Sequence, residues 1–319
     1  MNKNRSFQTL VICAGTALVG ISASAQNLFV IDGGSSVSEY DESGNLVNGS
    51  YITGLSDAVG LALDSSDNLY VSYNSDGAGA VAEYNSSGSL ITSTFASGLT
   101  SAYGMTFDTS GNLYVADYAA ASYSEYNSSG NLVSQTPATE GIWFLGRELP
   151  NGSSGSPYGL AWSPITGSLY YTLNAPNQIM RSDLGSGIGS IGSPSSLNLP
   201  TAPEAVAIDS LGNAFLTLPG SGVVQEWNAA LRLEVDFATG LNNPTGVVLD
   251  GNNDVYVSTS SGILEYNSSG TLLDTIADGN TPGFLAVEPG FSPVPEPGTL
   301  ALAAVGALAV LGYRRRSAQ

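Results

Sequence analysis

The side chains that could do chemistry in this chain are carboxylates, amides, hydroxyls and phenols, because the sequence contains no histidine and a single cysteine, Cys13. Without histidine there is no Ser-His-Asp triad, no histidine general base and no histidine-ligated zinc or iron. Cys13 lies in an apolar segment near the N-terminus and is interpreted as part of that segment. A hydrolase built from this sequence would therefore depend on carboxylates and a metal ion.

The charge of the chain narrows its classes of partner. The sequence has 27 acidic and 8 basic residues, which gives a formal net charge of −19. Between residues 26 and 293 the basic side chains are Arg147, Arg181 and Arg232. Nucleic acid is excluded as a partner because its phosphates must be neutralised by Lys or Arg. Anionic membrane surfaces are disfavoured for the same reason.

One phrase recurs along the chain and indicates a repeat architecture. An early copy reads Gly60-Leu-Ala-Leu-Asp64, followed by Asn68-Leu-Tyr-Val71. Five copies begin at residues 60, 104, 159, 205 and 246, spaced 44, 55, 46 and 41 residues apart. Short β-branched and aromatic runs separated by Asp, Asn, Ser and Gly predict four antiparallel strands in each copy. This period and strand number are typical of a propeller blade.

The two ends of the repeat region supply a sixth copy. Segments 27–30 and 37–40 match the second and third strands of a repeat, whereas Gly283–Glu288 matches the first strand. Joining them would close the ring and remove open sheet edges. The sequence therefore predicts an all-β, six-bladed β-propeller over residues 26–290, with a 1+3 closure of one C-terminal and three N-terminal strands.

Acidic residues that recur from copy to copy are predicted to be structural, because a packing or turn residue repeats with the architecture and a catalytic group breaks its symmetry. The recurring aspartates are expected in the turn between the first two strands; they are Asp64, Asp108, Asp209 and Asp250. A second recurring pair is expected to place its aromatic ring between blades; it occurs as Glu39-Tyr40, Glu83-Tyr84, Glu125-Tyr126, Glu226-Trp227 and Glu265-Tyr266.

Ligand-binding residues are expected in the loops at the channel mouth, before the first strand and after the second strand of each blade. The candidates are Asp32, Asp57, Tyr103, Asp117, Tyr158, Asn174, Glu204 and Asn243. Oxygen atoms that converge on the ring axis could bind Ca²⁺, which takes carboxylate and carbonyl ligands. The alternative is a hydrated polar mouth without a metal. Exposed tyrosines at this position could also stack on sugar faces.

The repeat resembles the propellers of the NHL family and of the senescence marker protein/gluconolactonase family. The likeness to the second family is greatest over Gly159–Tyr171 and Gln178–Asp183. This resemblance implies a six-bladed fold and, as one alternative, a Ca²⁺-dependent hydrolase of the lactonase type. Glu204 stands where that family has a ligand aspartate, whereas Tyr158 stands where it has a ligand asparagine.

The N-terminus has the pattern of a signal peptide over residues 1–25. Residues 1–5 carry two basic side chains, residues 7–21 are mainly apolar, and Ala23-Ser24-Ala25 supplies small residues at a cleavage site. Cleavage is expected between Ala25 and Gln26. The protein is therefore predicted to be exported.

The C-terminus combines three features in order. A linker over residues 291–299 contains Val294-Pro295-Glu296-Pro297, an apolar run fills residues 300–313, and a basic tail occupies residues 314–319. The apolar run is predicted to be a short transmembrane helix, and the three arginines after it should stay in the cytoplasm. This arrangement resembles the PEP-CTERM sorting signal. That resemblance implies an exosortase-type membrane protease as partner and a transient inner-membrane anchor in a Gram-negative bacterium.

These features together lead to an expected function. The chain is expected to be a non-enzymatic binding or scaffolding protein of the outer envelope or extracellular matrix, with an exopolysaccharide or a surface protein as its partner. Its contact with membrane is expected through the C-terminal segment alone. Two alternatives stay open: a Ca²⁺-dependent lactonase-type hydrolase, and a purely structural surface protein without a discrete ligand.

Overall fold

The computed structural model describes residues 27–41, 43–75, 77–137, 155–175, 177–183, 199–232, 234–276 and 282–288. Within these ranges the regular structure is β-strand, apart from one short 3₁₀ helix at Pro219–Ser221. The strands form six antiparallel sheets, as the repeats predict. The predicted signal peptide, linker, transmembrane helix and basic tail lie outside the described residues, as do Ala25, Gln26 and the Pro-Glu-Pro motif.

Each sheet is one blade, and the blades are numbered here along the chain. Blade 1 joins the two ends of the propeller: β1 (Leu28–Asp32), β2 (Ser36–Tyr40), β3 (Leu46–Thr53) and β23 (Pro282–Val287). Blade 2 contains β4 (Ala58–Leu63), β5 (Leu69–Ser75), β6 (Ala78–Tyr84) and β7 (Leu90–Leu99). Blade 3 contains β8 (Ala102–Phe107), β9 (Leu113–Asp117), β10 (Ser122–Tyr126) and β11 (Leu132–Pro137).

The remaining blades repeat this meander. Blade 4 contains β12 (Pro157–Ser163), β13 (Ser168–Leu173) and β14 (Gln178–Asp183). Blade 5 contains β15 (Val206–Ile208), β16 (Ala214–Leu218), β17 (Val223–Trp227) and β18 (Glu234–Thr239). Blade 6 contains β19 (Val247–Leu249), β20 (Val255–Thr259), β21 (Gly262–Tyr266) and β22 (Leu272–Ile276).

The first strands of the blades form a closed inner ring. They contact one another in the order β4, β8, β12, β15, β19 and β23, and β23 contacts β4 again. The end of the channel at which these strands begin is called here the mouth. Beyond the opposite end of the ring, the Asn27 amide donates to Glu288 Oε2 at 3.0 Å, and the Glu288 amide donates to the Asn27 carbonyl oxygen at 3.2 Å. Both ends of the propeller therefore emerge from the face opposite the mouth.

The hydrophobic core is divided among the six contacts between neighbouring blades. Each cluster of buried apolar residues draws on two adjacent blades; the cluster between blades 2 and 3, for example, contains Tyr70, Val81 and Leu113. Trp227 lies in the cluster between blades 4 and 5 and Tyr126 in the one between blades 2 and 3, with 1% and 2% of their surfaces exposed. These two aromatic residues thus occupy the position predicted for the recurring Glu-aromatic pair.

Glycine allows the inner strands to approach one another closely. A Cβ atom at Gly104 would lie 2.6 Å from the carbonyl oxygen of Tyr158 in the next blade, and one at Gly60 would lie 2.4 Å from that of Tyr103. Gly159 stands in the same relation to Glu204, at 2.6 Å. Because the obstructing atoms belong to the backbone, a side chain here would force two blades apart.

Buried hydroxyl groups connect blades at the same level. Ser72 Oγ accepts a hydrogen bond from the Gly60 amide at 2.8 Å and donates one to the Tyr103 carbonyl oxygen at 2.7 Å. Thr172 connects blade 4 to blade 5 and Thr217 connects blade 5 to blade 6 in the same way. Since each hydroxyl is fully buried, it satisfies backbone groups that water cannot reach.

The recurring aspartates form the turns predicted for them. Asp64 Oδ1 accepts from the backbone amides of Ser66 and Asn68, and Asp64 Oδ2 accepts from Asn68 Nδ2 at 3.0 Å. The same set of bonds occurs at Asp108 and Asp209, with an asparagine four residues later in each case. In blade 6 the fourth position is Asp254 instead of asparagine, and the buried Oδ2 of Asp250 has no hydrogen-bond donor among the described residues.

Replacing Gly104 by alanine should destabilise the propeller by about 1–3 kcal/mol, because the new methyl group would overlap the backbone of blade 4. Chemical denaturation of the two proteins measures the loss. Gly49→Ala is the matched control: Gly49 is exposed, and its nearest neighbour is a side-chain carbon of Leu46 at 3.4 Å. The control should change stability by less than about 0.5 kcal/mol. If the two variants lost the same stability, the close approach of the inner strands would not be what requires glycine at residue 104.

Asp254→Asn should stabilise the protein at pH 7 by about 1–2 kcal/mol, because it supplies the donor that the other turns have. Burial raises the pKa of Asp250 to about 6. The folded state therefore favours the protonated form, and the wild-type protein loses stability as the pH rises from about 4 through about 6. The stability difference between variant and wild type should grow over this interval in denaturation experiments at pH 4 and 7.

The reverse exchange in blade 5, Asn213→Asp, is the control for Asp254→Asn. It should lower stability at pH 7, since it would place a second carboxylate beside the buried Asp209 and remove the Asn213 Nδ2 donor. If both exchanges shifted stability in the same direction, the comparison between these turns would be wrong.

Candidate functional site

Two cavities lie along the axis of the ring. A cavity of about 290 Å³ is lined by the inner strands of all six blades, through residues such as Leu61, Met105 and Val247. A second cavity of about 300 Å³ opens at the mouth, and its walls include Tyr158, Glu204 and Phe284. Phe284 lines both cavities. Its side chain therefore stands at the boundary between the channel and the mouth.

Phe284 occupies an unusual position for a large side chain. In the pairing of β23 with β1, Leu285 lies opposite Val30, just as Val247 lies opposite Val257 in blade 6. Phe284 consequently stands where the other inner strands have glycine or alanine. Its ring stacks on that of Tyr158, with 5.9 Å between centroids and 27° between planes. Because blade 4 faces blade 1 across the ring, this pair spans the channel.

Three tyrosines extend the aromatic surface at the mouth. The ring centroids of Tyr103 and Tyr158 are 4.6 Å apart, and those of Tyr103 and Tyr118 are 5.0 Å apart. Tyr118 meets Tyr158 edge to face at 6.0 Å. All three rings are partly exposed. With Phe284, which is also partly exposed, they form what is called here the aromatic cluster.

Glu204 is the acidic side chain in the wall of the mouth cavity. It immediately precedes Ala205, the counterpart of the inner-ring glycines. Burial raises the pKa of Glu204 to about 7. Burial, followed by the negative charge of Glu204, also raises the pKa of Tyr158. Within the described ranges no hydrogen-bond donor reaches the Glu204 carboxylate, and burial is the cause of its raised pKa.

Asp57 and Asn243 approach the mouth from equivalent loops, each three residues before an inner-ring glycine. Both have left-handed backbone conformations, with φ of 52° and 51°, which Asp and Asn tolerate better than most residues. Asn243 lines the mouth cavity. Asp57 is exposed, and its charge contributes to the raised pKa of Tyr103 after burial and Tyr118. The mouth therefore combines Glu204, Asp57 and Asn243 with the aromatic cluster.

The remaining candidates are not part of this arrangement. Asp117 is fully buried, and its carboxylate accepts from the backbone amides of Thr100 and Ser101 at 2.9 Å, so it holds the loop between blades 2 and 3. Asp32 is buried and accepts a hydrogen bond from Ser38 Oγ. Asn174 does not line either axial cavity. These contacts give Asp32 and Asp117 a structural role, and their predicted role in ligand binding stays a prediction.

Acidic ligands for a Ca²⁺ ion are few at the mouth. Within the part of the chain that the structure describes, no three or more acidic, histidine or cysteine side chains are placed to hold one ion. Asp117 binds backbone amides and Asp32 binds Ser38, which leaves Asp57 as the predicted aspartate that approaches the mouth with Glu204. What the mouth does provide is aromatic surface, phenol and amide groups, and the half-buried carboxylate of Glu204.

Phe284 was not among the residues predicted for the site, whereas Tyr118 was predicted, with Tyr103 and Tyr158, as a tyrosine that could stack on sugar faces. A signal for Phe284 exists in the sequence: the last copy of the repeat has one more residue between glycine and the acidic position than the others, as Gly283 and Glu288 show. That extra residue moves a phenylalanine into the inner ring. Tyr118 lies on the loop after β9, and its approach to Tyr158 becomes visible once blades 3 and 4 are placed side by side.

The described residues define a six-bladed β-propeller with an aromatic mouth. Among those residues, no helix has the length and apolar character that crossing a membrane requires. Residues 293–316 match the PEP-CTERM protein-sorting motif, so the chain carries this signal as its C-terminal sequence indicates. The motif implies export, transient membrane anchoring and processing by an exosortase. No curated protein matches the chain.

Solved structures with the same fold are distant in sequence. A chain of the nidogen/laminin complex matches with a TM-score of 0.65 and 16% identity, covering 82% of this chain and 98% of that one. A gluconolactonase from Xanthomonas campestris matches with a TM-score of 0.57 and 17% identity, over 72% and 78% of the two chains. Virginiamycin B lyase from Staphylococcus aureus, solved with quinupristin, matches at 0.54 and 15%, over 72% and 73%. These likenesses concern the fold.

Proposed function

We propose that this chain is an exported, non-enzymatic propeller that binds an extracellular polysaccharide through its mouth and serves as a scaffold in the outer envelope or the matrix outside the cell. The PEP-CTERM motif supports delivery to that location after release from the inner membrane. The protein would hold the polysaccharide at the cell surface without cleaving or modifying it.

The aromatic cluster is the observation that carries this proposal. Sugar rings present flat apolar faces edged by hydroxyl groups, and Tyr combines an apolar ring with a polar tip. Tyr103, Tyr118 and Tyr158 lie within 6.0 Å of one another by ring centroid, and Tyr158 lines the mouth cavity. The polar groups of Glu204 and Asn243 stand beside them, where they could accept hydrogen bonds from sugar hydroxyls.

A hydrolase is the second candidate, and Glu204 is the residue that favours it. A carboxylate with a pKa of about 7, placed at the wall of a cavity, is suited to general acid or base catalysis near neutral pH. The donor set around it lacks the additional acidic ligands of a Ca²⁺-dependent site. Binding is therefore the preferred interpretation, and catalysis is an outcome that the experiments below can detect.

Tyr158→Ala should weaken polysaccharide binding about tenfold, because it removes the aromatic ring on which the sugar would stack. A tenfold rise in the dissociation constant corresponds to a loss of about 1.4 kcal/mol of binding free energy. The measurement is retardation of the purified full-length protein in native gels that contain soluble neutral, acidic or amine-bearing polysaccharides. Tyr158→Phe is the control, since it keeps the ring that stacks on Phe284. Absence of retardation by every polysaccharide would favour a purely structural role. Lactone turnover that Glu204→Gln abolishes would establish the hydrolase instead.

Replacing Pro295, Glu296 and Pro297 together by alanine should leave the protein in the inner membrane with residues 300–319 still attached. The reason is that the exosortase would lose its recognition motif while the apolar segment stays intact. Fractionation of cells and intact-mass measurement of the recovered protein test this expectation. As a control, Phe291→Ala alters the same linker outside the motif and should be processed normally. Normal release of the triple variant would contradict motif-directed sorting.

A further inference from the structure

Among the residues that the structure describes, the acidic groups at the mouth have no basic partner. Of the three arginines between residues 26 and 293, the structure describes Arg181 and Arg232. Arg181 Nη1 donates to the Ala229 carbonyl oxygen at 3.3 Å, and the backbone amide of Arg232 donates to Asn228 Oδ1. Both therefore lie against the turn between β17 and β18, which is at the end of blade 5 opposite the mouth. Glu204 and Asp57 thus face the mouth without a described cation nearby.

We propose that the sugar unit bound at the mouth carries a protonated amine, so that the polymer is an amino polysaccharide with free ammonium groups. This inference rests on the proposed function, since it specifies the polysaccharide bound at the same site. The ammonium would lie against Glu204 while the sugar ring stacks on Tyr103 or Tyr158. Each part of the ligand then meets a group that the mouth already contains.

The aromatic faces and the carboxylate favour a cation for two independent reasons. The face of a tyrosine ring carries negative charge density and attracts an ammonium group placed over it. A carboxylate that is partly removed from water and lacks a counter-charge gains most from an opposite charge at close range. Burial already raises the pKa of Glu204 to about 7. A bound ammonium would hold that carboxylate in its ionised form.

The charge of the whole protein points the same way. With a net charge of −19, the chain repels polymers that carry carboxylate or sulfate groups and attracts cationic ones. The volume of the mouth cavity, about 300 Å³, is at the lower limit of the roughly 300–1,000 Å³ typical of ligand sites. It therefore suits a single sugar ring, with neighbouring units of the polymer outside. Phe284 limits the depth to which that ring can enter.

Three trisaccharides with the same linkage test the inference, because they differ in one substituent. They are the trimers of glucosamine, N-acetylglucosamine and glucose, which carry an ammonium, an acetamide and a hydroxyl group at the same position. Each is titrated by calorimetry into the purified full-length protein in a non-ionic detergent at neutral pH. The glucosamine trimer should bind at least tenfold more tightly than the other two.

Glu204→Gln should remove most of this preference, since the variant keeps the shape of the side chain and loses its charge. Glu226→Gln is the matched control: Glu226 belongs to the same blade but lies beside Asn213, at the end opposite the mouth. This control should preserve the preference. Asp57→Asn, at an exposed position, gives a second test if Glu204→Gln does not fold, and it should reduce the preference by a smaller factor.

The outcomes separate the two proposals. If the glucose trimer binds as tightly as the glucosamine trimer, polysaccharide binding stands and the requirement for an amine is overturned. If neither the trimers nor longer polymers of these sugars bind, the proposed function falls with it. If the glucosamine preference is the same in Glu204→Gln, Asp57→Asn and Glu226→Gln, the attraction comes from the net charge of the protein, and the mouth is not the site.

Discussion

The close approach of the inner strands is the constraint on which the rest of the structure depends. A ring of six blades leaves little room around its axis, and Gly60, Gly104 and Gly159 bring each inner strand within contact of the next backbone. At that separation the buried hydroxyl of Ser72 or Thr172 can connect an amide of one blade to a carbonyl of its neighbour. The apolar clusters between blades then pack outward from this ring. Sheet, turn and loop positions at the mouth all follow from where the ring places the inner strands.

The candidate site at the mouth is formed where the inner strands depart from the repeated pattern of small residues. Phe284 replaces the small residue of the ring in blade 1 and meets Tyr158 from the opposite blade. Ala205 follows Glu204, so a carboxylate enters the wall where the other blades have tyrosine, valine, threonine or glycine. These departures bring an aromatic pair and a carboxylate into the wall of one cavity.

Much of the fold could be predicted from the sequence, because blades are local units whose strands and turns recur at short range. The Asp64 turn is an example, since its hydrogen bonds all fall within four residues. The site was harder to predict, because its residues come from all six blades or the loops before them and meet through the closure of the ring. Asp117 follows the second strand of its blade, where ligand-binding residues were expected. Its carboxylate instead accepts hydrogen bonds from two backbone amides, and no sequence pattern predicts these contacts. The position of Phe284 in the inner ring could be predicted only if the register of β23 against β1 were known to within one residue.

The pairing of Asn27 with Glu288 has a consequence for where the C-terminal segment continues from the propeller. The chain leaves β23 on the face opposite the mouth, and the sorting motif begins at residue 293, a few residues further on. The segment that carries the sorting motif therefore continues the chain from the end of the propeller that lies away from the aromatic cluster. Under the proposed function, a polysaccharide would approach from the other end, so processing of the C-terminal segment and binding at the mouth would concern opposite faces of the molecule.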